Sequence, residues 1–488
     1  MDPVSQPSLS WNDCPRTRRE FLSWSVRGIG ATALWALLAD EGRGEGRGAS
    51  ESVQRSHHPP LARRAIHICL VGGLSHLDSF DYKPELDRMH GKSLQTDEQP
   101  DIFFGQVGQL RRSDFRFQQR GKSGLWVSDL FPHLAELADE LCVVRSMMSD
   151  SANHTPALFL ANSGFQFNGF PSMGAWLSYG LGSETEELPA YVVLPDGRGD
   201  PNGGTNSWTN GFLPTATQGV KFVGGAQPVR DLFPVESIAE DTDARAHQLL
   251  RTLDQRYRDH TGWDELLAAR MRSYELAARM QLSVPEIADL STETSATLAM
   301  YGVTDPATED AGTRCLLGRR LLERGVRFVQ IFSGGPIAGS PRRSWDAHED
   351  VKDNHGAEAL RIDKPIAALL ADLRQRGMLD DTLVLFTTEF GRTPFSQSAA
   401  SEAGPGRDHN RYGFSCWMAG GGVRRGFPYG ATDEIGWKAV ENPVPWHDLH
   451  ATVLWLLGLD HERLTFYHNG IRRRLTNVHG TVLSDLIA

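Results

Sequence analysis

Beyond residue 63 the chain alternates short unbroken apolar runs with longer stretches in which apolar residues recur every three or four positions. The runs are Arg64–Gly73 (RAIHICLVGG), Leu141–Ser146, Ala190–Leu194, Val326–Phe332, Thr382–Thr388 and Ser415–Ala419. Apolar runs of this length, bounded by glycine or polar residues, predict strands buried on both faces. Between them the spacing predicts a helix from Ser128 as N-cap through Asp139, a short apolar helix from Ala157, and helices over 243–256, 264–281, 312–324, 357–376 and 447–457. Strands separated by helices of this length predict an α/β fold, a mostly parallel sheet with helices on both faces. Residues 200–230, rich in Gly, Pro, Asn and Thr, predict a long loop or cap insertion inside one domain spanning 64–488.

Composition narrows the class. The 488 residues are 40% hydrophobic and 23% charged, the profile of a globular protein. The net charge of −11 repels a phosphate backbone and argues against nucleic acid as a partner. Five cysteines without a CxxC pair indicate neither a zinc knuckle nor a disulfide framework. At the amino terminus, Thr17-Arg18-Arg19-Glu20-Phe21-Leu22-Ser23 precedes an apolar stretch from Gly28 to Ala39. The stretch is about 12 residues, short of the ~20 that a stable transmembrane anchor needs. Residues 1–49 therefore resemble a twin-arginine export signal and leader. That resemblance implies the twin-arginine export machinery as a partner, a periplasmic or otherwise exported location, and folding with any metal before export. Residues 50–63 read as a linker.

In parallel sheets, chemistry collects in loops past the carboxyl ends of strands. Here those loops hold His76, Asp78 and Asp81 after the first strand, and Asn153-His154-Thr155-Pro156 after the second. Asp346-Ala347-His348 follows Phe332, Glu389-Phe390-Gly391-Arg392 follows Thr388, and Arg407-Asp408-His409 comes later. Any one of these could be a turn or a solvated surface group. Together they bring carboxylates and imidazoles to one rim. Such donors suit zinc or manganese, and magnesium or calcium where oxygen predominates. Two ions about 4 Å apart could clamp the attacking and departing oxygens of a phosphoryl or sulfuryl group. Thr155 stands at a predicted helix start, where a hydroxyl could be a nucleophile beside a metal or simply an N-cap.

The segments GGLSHLDSFDYKPE, RSMMSDSANHTPALFLANSG, WDAH, TEFGRTP, GRDHN, WMAGGG and HDLHATVLWLLGLDH, in that order, resemble the bacterial family known as domain of unknown function 1501. That family belongs to the alkaline phosphatase and sulfatase superfamily. Over roughly residues 64–485 the resemblance implies an alkaline phosphatase-like domain, usually exported, with no settled substrate for the family; a small-molecule or glycan ester is the expected partner. It also implies roles. Asp78 resembles the carboxylate that bridges the metal ions, with His76 and Asp81 near enough to assist. Thr155 resembles the nucleophile. Asp346 and His348 resemble an Asp/His metal pair, with Asp350 or His355 as other partners. Glu389 resembles the Asp of an Asp-His pair whose histidine is replaced by Phe390, so that Asp408 or His409 would have to complete a second metal site. His409 itself resembles the late histidine of the first site. Arg392 would hold a substrate oxygen or a framework carboxylate. His447, Asp448 and His450 resemble a structural element of the last helix.

Neither Cys142-Val143-Val144-Arg145 nor Ser151-Ala152-Asn153-His154 fits the Cys/Ser-x-Pro-x-Arg motif from which formylglycine is made. Two readings follow: an exported metal-dependent hydrolase of phosphate or sulfate esters, not of the formylglycine type, or an exported metal-stabilised binding or scaffolding protein of the same fold.

Overall fold

The computed structural model describes residues 56–96, 100–224, 228–233, 240–261, 265–337 and 344–488. The expected leader with Arg18 and Arg19, and residues 50–55 of the expected linker, lie outside the described residues. Residues 56–63 run against the end of the last long helix. Leu61 N and Ala62 N donate to Leu456 O, and His57 N donates to Gly458 O.

The strands that place the site are, in chain order, β1 Arg64–Leu70, β2 Leu141–Met148, β3 Tyr191–Leu194, β4 Val220–Lys221, β5 Phe328–Ser333 and β6 Thr382–Thr388. They continue with β7 Gly391–Ser396, β8 Arg407–Asn410, β9 Phe414–Ala419, β10 Phe427–Tyr429 and β11 Val444–Pro445. The main sheet runs β10-β2-β9-β6-β1-β5-β3-β4, with β11 also on β2, while β7 and β8 form a separate antiparallel hairpin. β9 is antiparallel to β2 and β6, and the other pairs of the main sheet are parallel. β1, β2, β5 and β6 consequently share a direction, and their carboxyl ends open onto one rim.

The longer helices are α1 His154–Ser163, α2 Met173–Leu181, α3 Glu240–Thr261, α4 Glu265–Ala288, α5 Glu309–Glu323, α6 Val351–Gln375 and α7 Trp446–Leu456. Alternation along β1 explains why both sheet faces need cover. Ala65 and Cys69 share a core with Leu158 of α1, Trp176 of α2 and Val453 of α7. Ile66 points the other way, toward α5, where a Cβ on Gly318 would lie 3.0 Å from Ile66 Cδ1. Fully burying a Leu or Phe is worth roughly 1.5–3 kcal/mol, so these two apolar layers hold the sheet between its helices. Val229–Leu282, to which α3 and most of α4 contribute, belongs to a separate compact unit. No helix among the described residues is long and apolar enough to cross a membrane.

The expected helix from Ser128 to Asp139 is reduced to Pro132–Ala135 and a 3-10 turn at Ala138–Glu140. Ser128 instead ends a strand, paired with Phe117, and its hydroxyl donates to Asp78 O. Pro132 disfavours helical backbone at Phe131, so the helix cannot begin earlier.

Candidate metal centre

Four side chains at this rim, His154, Asp346, His348 and His409, each offer one ligand atom, and those atoms all lie within 4.8 Å of one another. His154 opens α1 just past β2, Asp346 and His348 follow β5, and His409 sits on β8 opposite Arg392 of β7. Two glycines permit this convergence. Gly72, at φ +123°, lets β1 end so close to the Asp346 loop that a Cβ would lie 2.4 Å from Asp346 N. A Cβ on Gly406 would lie 1.6 Å from His348 O, so the β7–β8 hairpin reaches His348 only without one.

Each histidine is anchored through its Nδ1. His154 Nδ1 lies 2.9 Å from Glu389 Oε1, His348 Nδ1 lies 2.5 Å from Gln397 Oε1, and His409 Nδ1 lies 2.6 Å from Ala152 O. All three partners are acceptors, so each Nδ1 carries the proton and each Nε2 presents a lone pair. The three Nε2 atoms point at one oxygen, Asp346 Oδ1, at 3.3 Å from His154, 2.7 Å from His348 and 3.3 Å from His409. His348 Nε2 and His409 Nε2 are 2.9 Å apart. Buried His154 Nε2 has no hydrogen-bond partner, despite its nearness to Asp346. Lone pairs facing a carboxylate oxygen repel unless a proton or a cation lies between them, and the donor set fits a cation.

Charge leads to the same conclusion. Asp346 and Glu389 are buried carboxylates, and the buried guanidinium beside them is Arg392, 2.7 Å from Asp346 Oδ1. With neutral imidazoles the centre carries one excess negative charge, which a divalent ion would turn into one positive charge. Burial works against the Asp346 anion, but the Arg392 guanidinium leads the groups that outweigh it and hold the carboxyl far below its usual range. Burial also disfavours protonated His154, yet Asp346 and Glu389 overcome it and raise its pKa. His409 is shifted well down by burial, which outweighs the opposing pull of Asp346.

Of the expected metal residues, the structure brings Asp346, His348 and His409 together. Glu389 stands one step behind, where its Oε1 accepts from both His154 Nδ1 and Gly72 N. Asp408 is directed elsewhere: one oxygen accepts His409 N and the other accepts Phe104 N. Asp78 is not brought to the cluster, because its Oδ2 is taken by Arg407 Nε at 3.0 Å and by Ser75 Oγ, in full burial. His76 is also placed apart, with Nε2 on Gly436 O. Asp350 is the N-cap of α6, and His355 accepts Ser75 N.

Arg392 is committed to Asp346 and to the carbonyls of Gly72, Gly73 and Arg407 with its guanidinium fully buried, so it positions Asp346 and presents no open fork to a substrate. Thr155, the second residue of α1, is half-buried, and the N-cap is Asn153. Phe390 packs its ring against His154 and His409, at centroid distances of 4.9 Å and 4.4 Å, filling space beside the cluster. The candidate ligand that sequence reasoning missed is His154. Its one signal in the sequence is an imidazole next to Thr155 in a strand-end loop.

Several solved structures align over most of the chain at low similarity. Ps i-CgsB, in complex with k-i-k-neocarrahexaose, is 12% identical, with 82% of this chain and 72% of that chain covered and a TM-score of 0.35. The PsFucS1 sulfatase from Pseudoalteromonas sp. is 13% identical, covering 92% and 73%, with a TM-score of 0.34. The TAB5 alkaline phosphatase is 9% identical, covering 74% and 92%, with a TM-score of 0.32. A search of curated proteins gave no match. The family model described as "Protein of unknown function (DUF1501)" matches residues 62–487, nearly all of the described fold, and the chain belongs to that family.

Proposed function

We propose that the chain is a metal-dependent hydrolase of phosphate or sulfate esters, not of the formylglycine type, that works outside the cytoplasm after twin-arginine export. The observation that carries this reading is the convergence of three Nδ1-anchored imidazoles on the Asp346 carboxylate. Three nitrogens and one oxygen favour zinc, with manganese next, over magnesium and calcium, which prefer oxygen. Among the described residues no second such group of donors is found, so the proposal is one ion per chain. When bound, the ion would polarise an ester oxygen and offset the charge that develops on it.

The chain's own residues supply the rest. Glu389 fixes the His154 tautomer, and Arg392 holds Asp346. The Thr155 hydroxyl, next in sequence to His154 at the amino end of α1, is the candidate nucleophile. An anionic substrate there gains from the unpaired N–H groups that begin any helix. The test is hydrolysis of an activated aryl phosphate and an aryl sulfate, with and without chelation, by the parent and by Thr155→Ala. Because Asn153 is the N-cap, Thr155→Ala removes no cap and should leave the melting temperature nearly unchanged. The proposal expects chelation to abolish turnover and Thr155→Ala to lower it by orders of magnitude. Turnover that survives chelation would overturn it.

One observation favours the second reading, an exported metal-stabilised binding or scaffolding protein. Four protein ligands can close a tetrahedral zinc site, as structural sites do. That reading expects no turnover of either ester and a large fall in melting temperature when the metal is removed.

A further inference from the structure

Beside the four ligand residues lies a feature that the hydrolytic chemistry does not use. Phe103 and Phe104 are 45% and 52% exposed, and their rings meet edge to face at 4.9 Å. Phe103 lies 4.9 Å from the His409 ring, and Phe104 lies 4.7 Å from the His348 ring. Each Phe therefore leaves about half its surface in solvent directly against a candidate ligand.

The backbone holds them there. Phe104 N donates to Asp408 Oδ2 at 2.8 Å, while Asp408 Oδ1 accepts His409 N at 2.7 Å, so one carboxylate fastens the loop to the strand that carries His409. Three residues before Phe104, Asp101 Oδ2 accepts Arg411 Nη2 at 2.7 Å and the Tyr412 hydroxyl at 2.6 Å. Leaving two large apolar rings in water is unfavourable, and a loop this well anchored would bury them if folding were its sole purpose. Arg411 is engaged with Asp101 and Asp150 O, and Arg392 in burial with Asp346. What the described residues of this loop offer to a ligand beside the cluster is therefore a pair of apolar rings.

We propose that Phe103 and Phe104 form the subsite for the alcohol portion of the ester, and that it takes a ring with an apolar face. This rests on the proposed ester chemistry for its anionic half, with the ring half argued from the aromatic pair alone. Stacking or edge contact with a ring contributes about two- to tenfold in affinity per phenylalanine. A methyl ester would gain almost none of it.

The test is calorimetric titration of the metal-loaded full chain with phenyl phosphate, glucose 1-phosphate and methyl phosphate, and with phenyl and methyl sulfate, in the parent, Phe103→Ala, Phe104→Ala and Phe104→Tyr. The parent should bind a ring ester at least tenfold more tightly than the methyl ester, and the sugar arm distinguishes an aryl ring from a pyranose. Each alanine variant should bring the ratio down several-fold, and Phe104→Tyr, which keeps the ring, should restore it. Metal content and melting temperature on the same samples show whether a variant has lost the centre itself. Equal binding of ring and methyl esters by the parent, or a ratio unmoved by both alanine variants, overturns the subsite. Ring selectivity without turnover of any ester would sink the hydrolase reading and leave the subsite standing, whereas turnover without ring selectivity would do the reverse.

Discussion

Replacing Glu389 by glutamine separates its charge from its shape. In the parent, Oε1 accepts both Gly72 N and His154 Nδ1, and Oε2 accepts the Thr388 hydroxyl. Glutamine keeps the volume, and its amide oxygen can serve both donors while its NH2 group faces the Thr388 oxygen. What disappears is one buried negative charge at a centre whose excess negative charge attracts a divalent ion. A hydrogen bond to a charged group is worth about 1.5–3 kcal/mol against ~1 kcal/mol for a neutral one, so the substitution weakens the hold on His154 by about 0.5–2 kcal/mol. At 1.4 kcal/mol per factor of ten, zinc affinity should fall roughly 2- to 30-fold, overlapping the range of about 10- to 100-fold for residues that orient metal-bound histidines. The assay is competition between metal-free protein and a chromophoric chelator of known affinity, with circular dichroism confirming the fold. Folded Glu389→Gln protein that binds zinc within twofold of the parent would refute the assignment of Glu389 as the residue that orients His154.

Three further expectations probe the framework, the acid response and export. Asp78→Asn leaves the buried Arg407 guanidinium without its ion-pair partner and should cost about 3–5 kcal/mol of stability while the zinc count per chain is unchanged. Loss of the ion without a fall in stability would restore Asp78 as a bridging ligand. The Asp196 carboxyl, whose burial is outweighed by Arg198 and Arg314, is held down at about 2. A depressed carboxyl contributes stability above its unfolded value that disappears as pH falls from about 4 to about 2, here about 2 kcal/mol. Asp196→Asn should therefore lower the urea midpoint at pH 7 and flatten the decline of stability across that window, and an unaltered pH profile would contradict the pairing. Replacing Arg18 and Arg19 together by lysine should stop delivery to the periplasm, as fractionation would show, and normal export would refute the signal reading.

The fold was legible where the chain is apolar enough to leave one choice. Thr382–Thr388 was expected and found over the same residues, and the expected strand from Arg64 and final helix from about 447 differ from the structure by a few residues at most at their ends. The β7–β8 hairpin was not legible, because its short strands are held by buried polar contacts from Arg392 and Arg407, not by an apolar pattern. The site was legible as a rim but not as a coordination set. Asp78 and Asp346 are both buried carboxylates in strand-end loops, and only the folded chain reveals that Arg407 faces the first while three imidazoles face the second. Glu389 and Arg392 were recognised by residue type, yet whether each ligates or positions depends on a partner hundreds of residues away, such as Gly72 or Gly73. His154 was hidden because a histidine at a helix start has no spacing signature of its own.

His154, Asp346, His348 and His409 are proposed to hold a single divalent ion. Native mass spectrometry of the intact chain, purified after export and compared with His348→Ala, tests it most directly by counting ions per molecule. The expected result is one divalent ion on each parent chain and none retained by His348→Ala under the same dialysis. Two ions per chain, or one ion held equally well by the variant, would contradict the account.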